Sequence, residues 1–156
     1  LLPVLMKYKT LLAILLLGLS LVSFGQSRTP IGKDLGTTRM SDEALQSVFR
    51  GNKSIWSNQN PVTVVLTSSN SKGFELTAQW ALDSDGFEFQ KHWLSLVFQG
   101  RANAPVFLKD ESEVVTYVQE HPGAIGILYD TTAPAELVIE VKCFISLGIF
   151  CLALHV

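Results

Sequence analysis

The run Thr67-Ser68-Ser69-Asn70-Ser71-Lys72-Gly73 concentrates the chemistry that this sequence offers. Hydroxyls, a carboxamide and an ammonium stand directly before helix-forming residues, Phe74 to Leu82. A helix beginning near Gly73 turns its first unpaired N–H groups toward this loop, and their partial positive charge favours an anion. Small residues also allow close approach. The candidate ligand set is therefore Ser68, Ser69, Asn70, Ser71, Lys72 and Gly73. A second reading stands beside it: Ser71 or Asn70 bonds the first-turn N–H groups itself, and the loop is a plain helix cap.

Elsewhere the residue types do not assemble a reaction centre. His92 and His121 are the histidines outside the C-terminal tail. Ser69, His92 and Asp130 would make a nucleophile, base and acid only if the fold brought them into hydrogen-bond reach, and no spacing argues for that. Neither histidine has a Cys or a second His at ligand spacing, and Asp83, Asp85 and Gly86 are too few for a calcium loop. No catalytic residue, metal ligand or cofactor is expected. Trp80 and Trp93 have apolar neighbours three and four residues away and read as core, whereas Trp56 sits in a loop and is more open. Asp110, Glu111 and Glu113 surround a helix start, where the helix dipole is explanation enough.

The chain has 156 residues, with 12 Lys and Arg against 14 Asp and Glu and 47% hydrophobic residues, which is room for one ordinary domain. A net charge of −2 offers no basic surface for a phosphate backbone, so no nucleic-acid partner is expected.

Both ends differ from the middle. Residues 1–25 read as a cleaved secretory signal, with Met6-Lys7-Tyr8-Lys9 as a cationic start, an apolar run from Leu11 to Leu17, and the small-x-small site Ser23-Phe24-Gly25. Leu1 to Leu5 read as upstream translation. Loss of Lys7 and Lys9 leaves 10 basic residues against 14 acidic ones, so the exported form carries −4. Residues 143–156 are almost wholly apolar and too short to span a bilayer. Their cysteines, Cys143 and Cys151, would lie about 12 Å apart on one helix, too far for a disulfide. A buried terminal element, a translated scar, and a membrane or partner contact are all open for this tail.

Between the ends, residues 26–40 carry Pro30, Gly32 and Gly36 without a sustained period and read as an irregular lead-in. Ser41 caps a helix with Asp42 and Glu43 in its first turn and Leu45, Val48 and Phe49 on one face, closed by Gly51. Val62 to Leu66 is a strand buried on both faces. A helix follows from Phe74 to Leu82, broken by Asp83-Ser84-Asp85-Gly86, and a second helix runs to Gly100. Ala104 to Leu108 reads as a short strand, Ser112 to Glu120 as a helix, and Ala124 to Tyr129 and Leu137 to Val141 as strands. The alternation predicts an α/β domain over 41–142, a small and mostly parallel sheet flanked by helices.

Several segments together resemble one family: Met40 to Gly51, Trp56, Pro61 to Leu66, Trp93 with Phe98-Gln99-Gly100, Glu113-Val114-Val115, and Pro122-Gly123-Ala124-Ile125-Gly126. Over about residues 40–142 the chain looks like the phosphate-binding-protein-like family, the periplasmic receptors of phosphate ABC transporters. It is most similar to short exported members that form a single lobe of the type 2 periplasmic binding fold. The resemblance implies no enzyme activity. In full-size relatives the loop after the strand equivalent to Val62–Leu66 holds phosphate with an arginine and a Ser-Gly-Thr run; neither is reproduced in Leu66 to Gly73. The family also opens with a strand, which the lead-in is not expected to supply, and it has an aromatic where Ile127 stands, with Tyr129 two residues on.

Two functions follow as expectations. One is a periplasmic or secreted module that binds phosphate or a similar small oxyanion, with the membrane subunit of an ABC transporter as partner. The other is a ligand-less interaction module that docks on a second envelope protein.

Overall fold

The structure, a computed structural model, describes residues 27–142. The expected signal segment and the apolar tail lie outside the described residues. Helix starts follow the side chains that satisfy first-turn N–H groups. Ser41 accepts from Ala44 N at 3.1 Å and opens α1, Asp42–Phe49. Ser71 opens α2, Lys72–Leu82, and Asp85 accepts from Glu88 N at 2.9 Å to open α3, Gly86–Phe98. Asp110 opens α4, Glu111–Glu120.

Two strands occupy the segment expected to be an irregular lead-in: β1, Thr29–Gly32, and β2, Arg39–Ser41. This corrects the sequence reading. Four and three residues are too short to show a period, and Pro30 argues against a strand unless it lies at the border of a sheet. Here β1 is the outermost strand of its sheet, antiparallel to β5, Ala124–Leu128, and its Ile31 is fully buried. The other strands are β3, Thr63–Thr67, β4, Val106–Leu108, and β6, Glu140–Lys142.

The main sheet has the order β1-β5-β3-β4, with β3 parallel to both neighbours. A separate pair joins β2 and β6 in parallel. The strand expected over Leu137 to Val141 is therefore displaced: Ala135–Leu137 is a 3₁₀ turn, and the ladder with β2 begins only at Glu140. Between them the chain crosses β1 through a single bridge, Ile31 to Val138.

Strand alternation divides the core in two. Val64, Leu66, Ile125 and Ile127 face α1, α2 and α3, among Phe49, Phe74, Phe89 and Trp93. Val65, Ala124 and Leu128 face α4 through Val114 and Val118. Gly126 lies on the α4 side, where a Cβ would stand 2.7 Å from Val114 Cγ1, so its lack of a side chain sets how closely α4 packs. Trp56, expected to be open, is 2% exposed, and its Nε1 donates to the Gly123 carbonyl at 2.8 Å. Its loop is thereby pinned to the entry of β5.

Phe49 is fully buried, with the Trp80 ring edge-on at 5.6 Å, whereas Phe98 is 82% exposed. Phe49→Ala is expected to cost about 3–5 kcal/mol in urea unfolding. Phe98→Ala is expected to change stability by no more than about 0.5 kcal/mol. Similar losses for both would contradict this division between core and surface.

Candidate functional site

Strand register brings the candidate loops together. Thr67 pairs with Leu108, and continuing the β3–β5 register from Val64 and Ile125 sets Thr67 level with Leu128. The chain therefore leaves β3, β4 and β5 at one height, at Ser68, Lys109 and Tyr129. Because α2 and α4 begin just beyond, at Lys72 and Glu111, both helix N-termini open on the same end of the sheet. A crevice at the carboxyl ends of parallel strands is where open α/β sheets bind ligands. Here it is a cleft of about 280 Å³, and its walls include Thr67, Ser71, Lys72, Gly73, Lys109, Glu111 and Asp130.

The six expected ligand residues do not act as one set. Ser71 is committed to the helix: its Oγ accepts from Phe74 N at 3.1 Å and shares a hydrogen bond with Thr67 Oγ1 at 2.7 Å. Its N–H donates to the Ser68 carbonyl at 2.8 Å, closing the loop into a turn. Asn70 is exposed at the tip. Ser68 and Ser69 line an adjoining cavity of about 430 Å³ with Gln90, Phe107 and Lys109. Lys72 and Gly73 remain on the first cleft, where Gly73 is the floor. A Cβ there would lie 3.2 Å from Thr67 Oγ1, 3.6 Å from Tyr129 Cδ2 and 3.7 Å from Glu111 Oε1.

Sequence reading passed over the opposite wall. Lys109 lines both cavities and supplies a second ammonium. Asp110 caps α4 by accepting from Glu113 N at 3.0 Å, and Glu113 in turn accepts from Lys109 N at 2.9 Å. The Glu113 N–H and then the Ser112 hydroxyl hold the Asp110 carboxyl below the ordinary carboxylate value. Glu111 turns away from its own helix. Its Oε1 accepts from Tyr129 N at 2.8 Å, and its Oε2 accepts from Asp130 N at 3.1 Å and Thr131 N at 2.7 Å. The signal that could have found this wall is the repeated strand-loop-helix order, since parallel strands set such loops side by side.

Tyr129 sits beneath the cleft, its hydroxyl 3.2 Å from Thr77 Oγ1, and burial pushes its phenol up from its ordinary value. Arg28, the residue before β1, reaches the same height because Thr29 pairs with Leu128. Its guanidinium lies 4.9 Å above the Trp80 ring and is bonded to Asp42 at 2.6 Å. Ser69, His92 and Asp130 are not assembled: His92 Nε2 pairs with the Arg50 carbonyl, while Asp130 lines the cleft. Among the described residues no group of three or more His, Cys, Asp or Glu is placed to hold a metal ion. A larger cavity, about 740 Å³, lies at the other end of β5, beside Gly32 to Thr38, and shares no residue with the candidate set.

Removing the cap by Ser71→Ala is expected to cost about 1 kcal/mol in chemical unfolding. A lowered Asp110 value means that its contribution is present above the ordinary value of 3.8 and is lost as pH falls through the lower one. Asp110→Asn should therefore unfold more easily than the parent near neutrality, and the difference should shrink as urea midpoints are followed from about pH 5 to pH 2. A constant difference across that range would contradict the assignment.

No family model matches the chain, and none of the curated proteins matches it. Among solved structures it is similar to an ABC-type phosphate transport receptor from Vibrio cholerae, with a TM-score of 0.51 and 14% identity over 73% of this chain and 45% of the receptor. PstS from Borrelia burgdorferi is similar with a TM-score of 0.47 and 13% identity, over 65% of this chain and 40% of that protein. The chain thus spans less than half the length of the Vibrio receptor. At this identity the likeness is one of fold: the chain is an α/β lobe, a mostly parallel sheet flanked by helices, built as one part of such a receptor is built.

Proposed function

We propose that this lobe binds a small oxyanion, phosphate foremost, in the cleft at the carboxyl ends of β3, β4 and β5. The observation that carries the reading is the convergence there of two helix N-termini with Lys72 and Lys109. Unpaired first-turn N–H groups and two ammoniums are the donors that a multi-oxygen anion needs, and they come from separate loops held at one height by the sheet. The two lysines would stand in for the arginine and Ser-Gly-Thr run expected from the resemblance. Phosphate is favoured because the Vibrio structure is a phosphate transport receptor of the same fold. In this reading the protein is exported to the periplasm and works with an ABC-type transporter as a binding protein, not an enzyme. An open cleft on a single lobe covers only part of a ligand, so binding by the isolated chain is weak until a partner or a second copy closes over it.

A specific observation favours the second reading, a ligand-less module docking on an envelope protein. On α3, Phe87, Leu94 and Phe98 are 72%, 55% and 82% exposed and share one helical face, with Lys91 between the first two.

An amide-resolved NMR titration with phosphate, sulfate and chloride separates the two. Saturable shifts centred on Ser71 to Gly73 and Lys109 are expected for one oxyanion and not for chloride. Lys72→Ala should weaken that binding about tenfold, equivalent to about 1.4 kcal/mol. Equal, non-saturating shifts for all three salts would count against the receptor reading and favour the docking module.

A further inference from the structure

Three consecutive backbone N–H groups, those of Tyr129, Asp130 and Thr131, all donate to one carboxylate, that of Glu111. A run of N–H groups converging on one point is an anion seat in its own right, and distances of 2.7–3.1 Å are those of well-formed hydrogen bonds. Helix-dipole stabilisation does not account for this geometry. An acidic residue at the first position of a helix satisfies the dipole beside its own N–H groups, yet Glu111 reaches across to a segment beginning 18 residues later. It also reaches toward the other helix, since a Cβ added at Gly73 would stand 3.7 Å from its Oε1. The carboxylate thus lies between the first turn of α2 and the amide seat, inside the cleft proposed for the oxyanion.

We infer that Glu111 is a built-in competitor for this cleft: its carboxylate holds the seat formed by Tyr129, Asp130 and Thr131, and a free oxyanion gains that seat only when Glu111 swings out. The inference rests on the oxyanion reading and adds to it a reason for weak binding. A tethered competitor acts at an effective concentration on the order of millimolar or more, against which a free anion must compete. Charge works in the same direction. Lys72 and Lys109 face Asp110, Glu111 and Asp130 around the cleft, so acid outnumbers base while Glu111 stays in place, and the two balance once it leaves. Gly73 leaves room beside the seat, so an anion with more oxygens than a carboxylate would touch both the amide seat and the α2 N-terminus.

The test titrates phosphate, with chloride at matched ionic strength as control, into the full-length chain carrying ¹⁵N amides and ¹³C-labelled Glu carboxyls. The same titration is made on Glu111→Gln and Glu111→Ala. Expected are at least tenfold tighter phosphate binding in both variants, with amide shifts spreading from Ser71–Gly73 to Tyr129–Thr131, and displacement of the Glu111 carboxyl signal at saturation in the parent. Saturable binding by the variants alone would also support the inference. Folded variants that bind no more tightly than the parent would overturn it, leaving Glu111 as a tie for the 129–131 loop while shifts at Ser71–Gly73 still upheld the oxyanion reading. Should the variants unfold, the parent decides: a Glu111 carboxyl signal unmoved by saturating phosphate overturns the inference, and a displaced one supports it. If neither parent nor variants bind phosphate saturably, the oxyanion reading falls and this inference falls with it.

Discussion

The parallel pairing of β3 with both β4 and β5 is the constraint from which the rest of this lobe follows. Parallel neighbours cannot be joined by tight turns, so each connection must carry a helix back along the sheet, and each helix must begin at the carboxyl end of the strand it follows. Register then fixes height. With Thr67 opposite Leu108 and level with Leu128, the three outgoing loops meet, and the polar residues placed there by three separate stretches of sequence become neighbours. Packing enforces the pairing: β3 and β5 have cores on both faces, and a shift of one residue would carry Val64 and Leu66 to the α4 side, where Val65 now packs.

That meeting creates an electrostatic problem at the same place. Two helices point unpaired N–H groups at one another's loops, and like partial charges brought together need acceptors. Side chains supply most of them. Ser71 accepts for α2, Asp110 accepts for α4, and Glu111 accepts from the chain leaving β5. The acidic cluster over 110–113 therefore divides: Asp110 and Glu113 cap their own helix start reciprocally, and Glu111 alone addresses a distant backbone segment. Lys72, Lys109 and Asp130 are among the cleft residues that remain exposed to solvent. Each cap takes up one first-turn N–H of its helix, and the others still open on the cleft.

Legibility in the sequence followed the range of the interaction responsible. Helix starts depend on a side chain and an N–H two or three residues away, and Ser41, Ser71 and Asp110 can be read directly for that reason; the capping role of Ser71, weighed beside anion contact, is the one its Oγ performs. The apolar stripe of α1 and the β-branched run of β3 were equally plain, but not the face of α3: its many apolar residues suggest a stripe from Phe87 to Phe98, whereas only Phe89, Trp93 and Leu96 turn inward and Phe87, Leu94 and Phe98 are exposed. β1 and β2 were hidden because each owes its existence to a distant partner, β5 or β6, rather than to its own few residues. Trp56 was misjudged for a related cause: a loop tryptophan is open by default, and only the arrival of Gly123, 67 residues later, gives its indole N–H an acceptor. Glu111 belongs with these. Its dipole explanation was sufficient locally, and nothing nearby in sequence announces Tyr129 to Thr131 as its donors.

The cleft and the exposed face of α3 are connected through the same sheet. One cavity beside the cleft is walled by Ser68 and Ser69 on one side and by Gln90 of α3 and Phe107 of β4 on the other, so α3 borders the polar loops. Phe107 is itself 45% exposed and packs 6.1 Å from Phe74, which links that rim to the core beneath α2. A body seated on Gln90 and Phe107 would stand over the adjoining cavity, where it could exclude water from Lys109, which lines both cavity and cleft. Lower dielectric there strengthens every attraction between an anion and Lys72 or Lys109, and equally the hold of Tyr129 to Thr131 on Glu111. Closure by itself would not choose between the tethered carboxylate and a free oxyanion; the anion that can bridge both the amide seat and the first turn of α2 gains more from it.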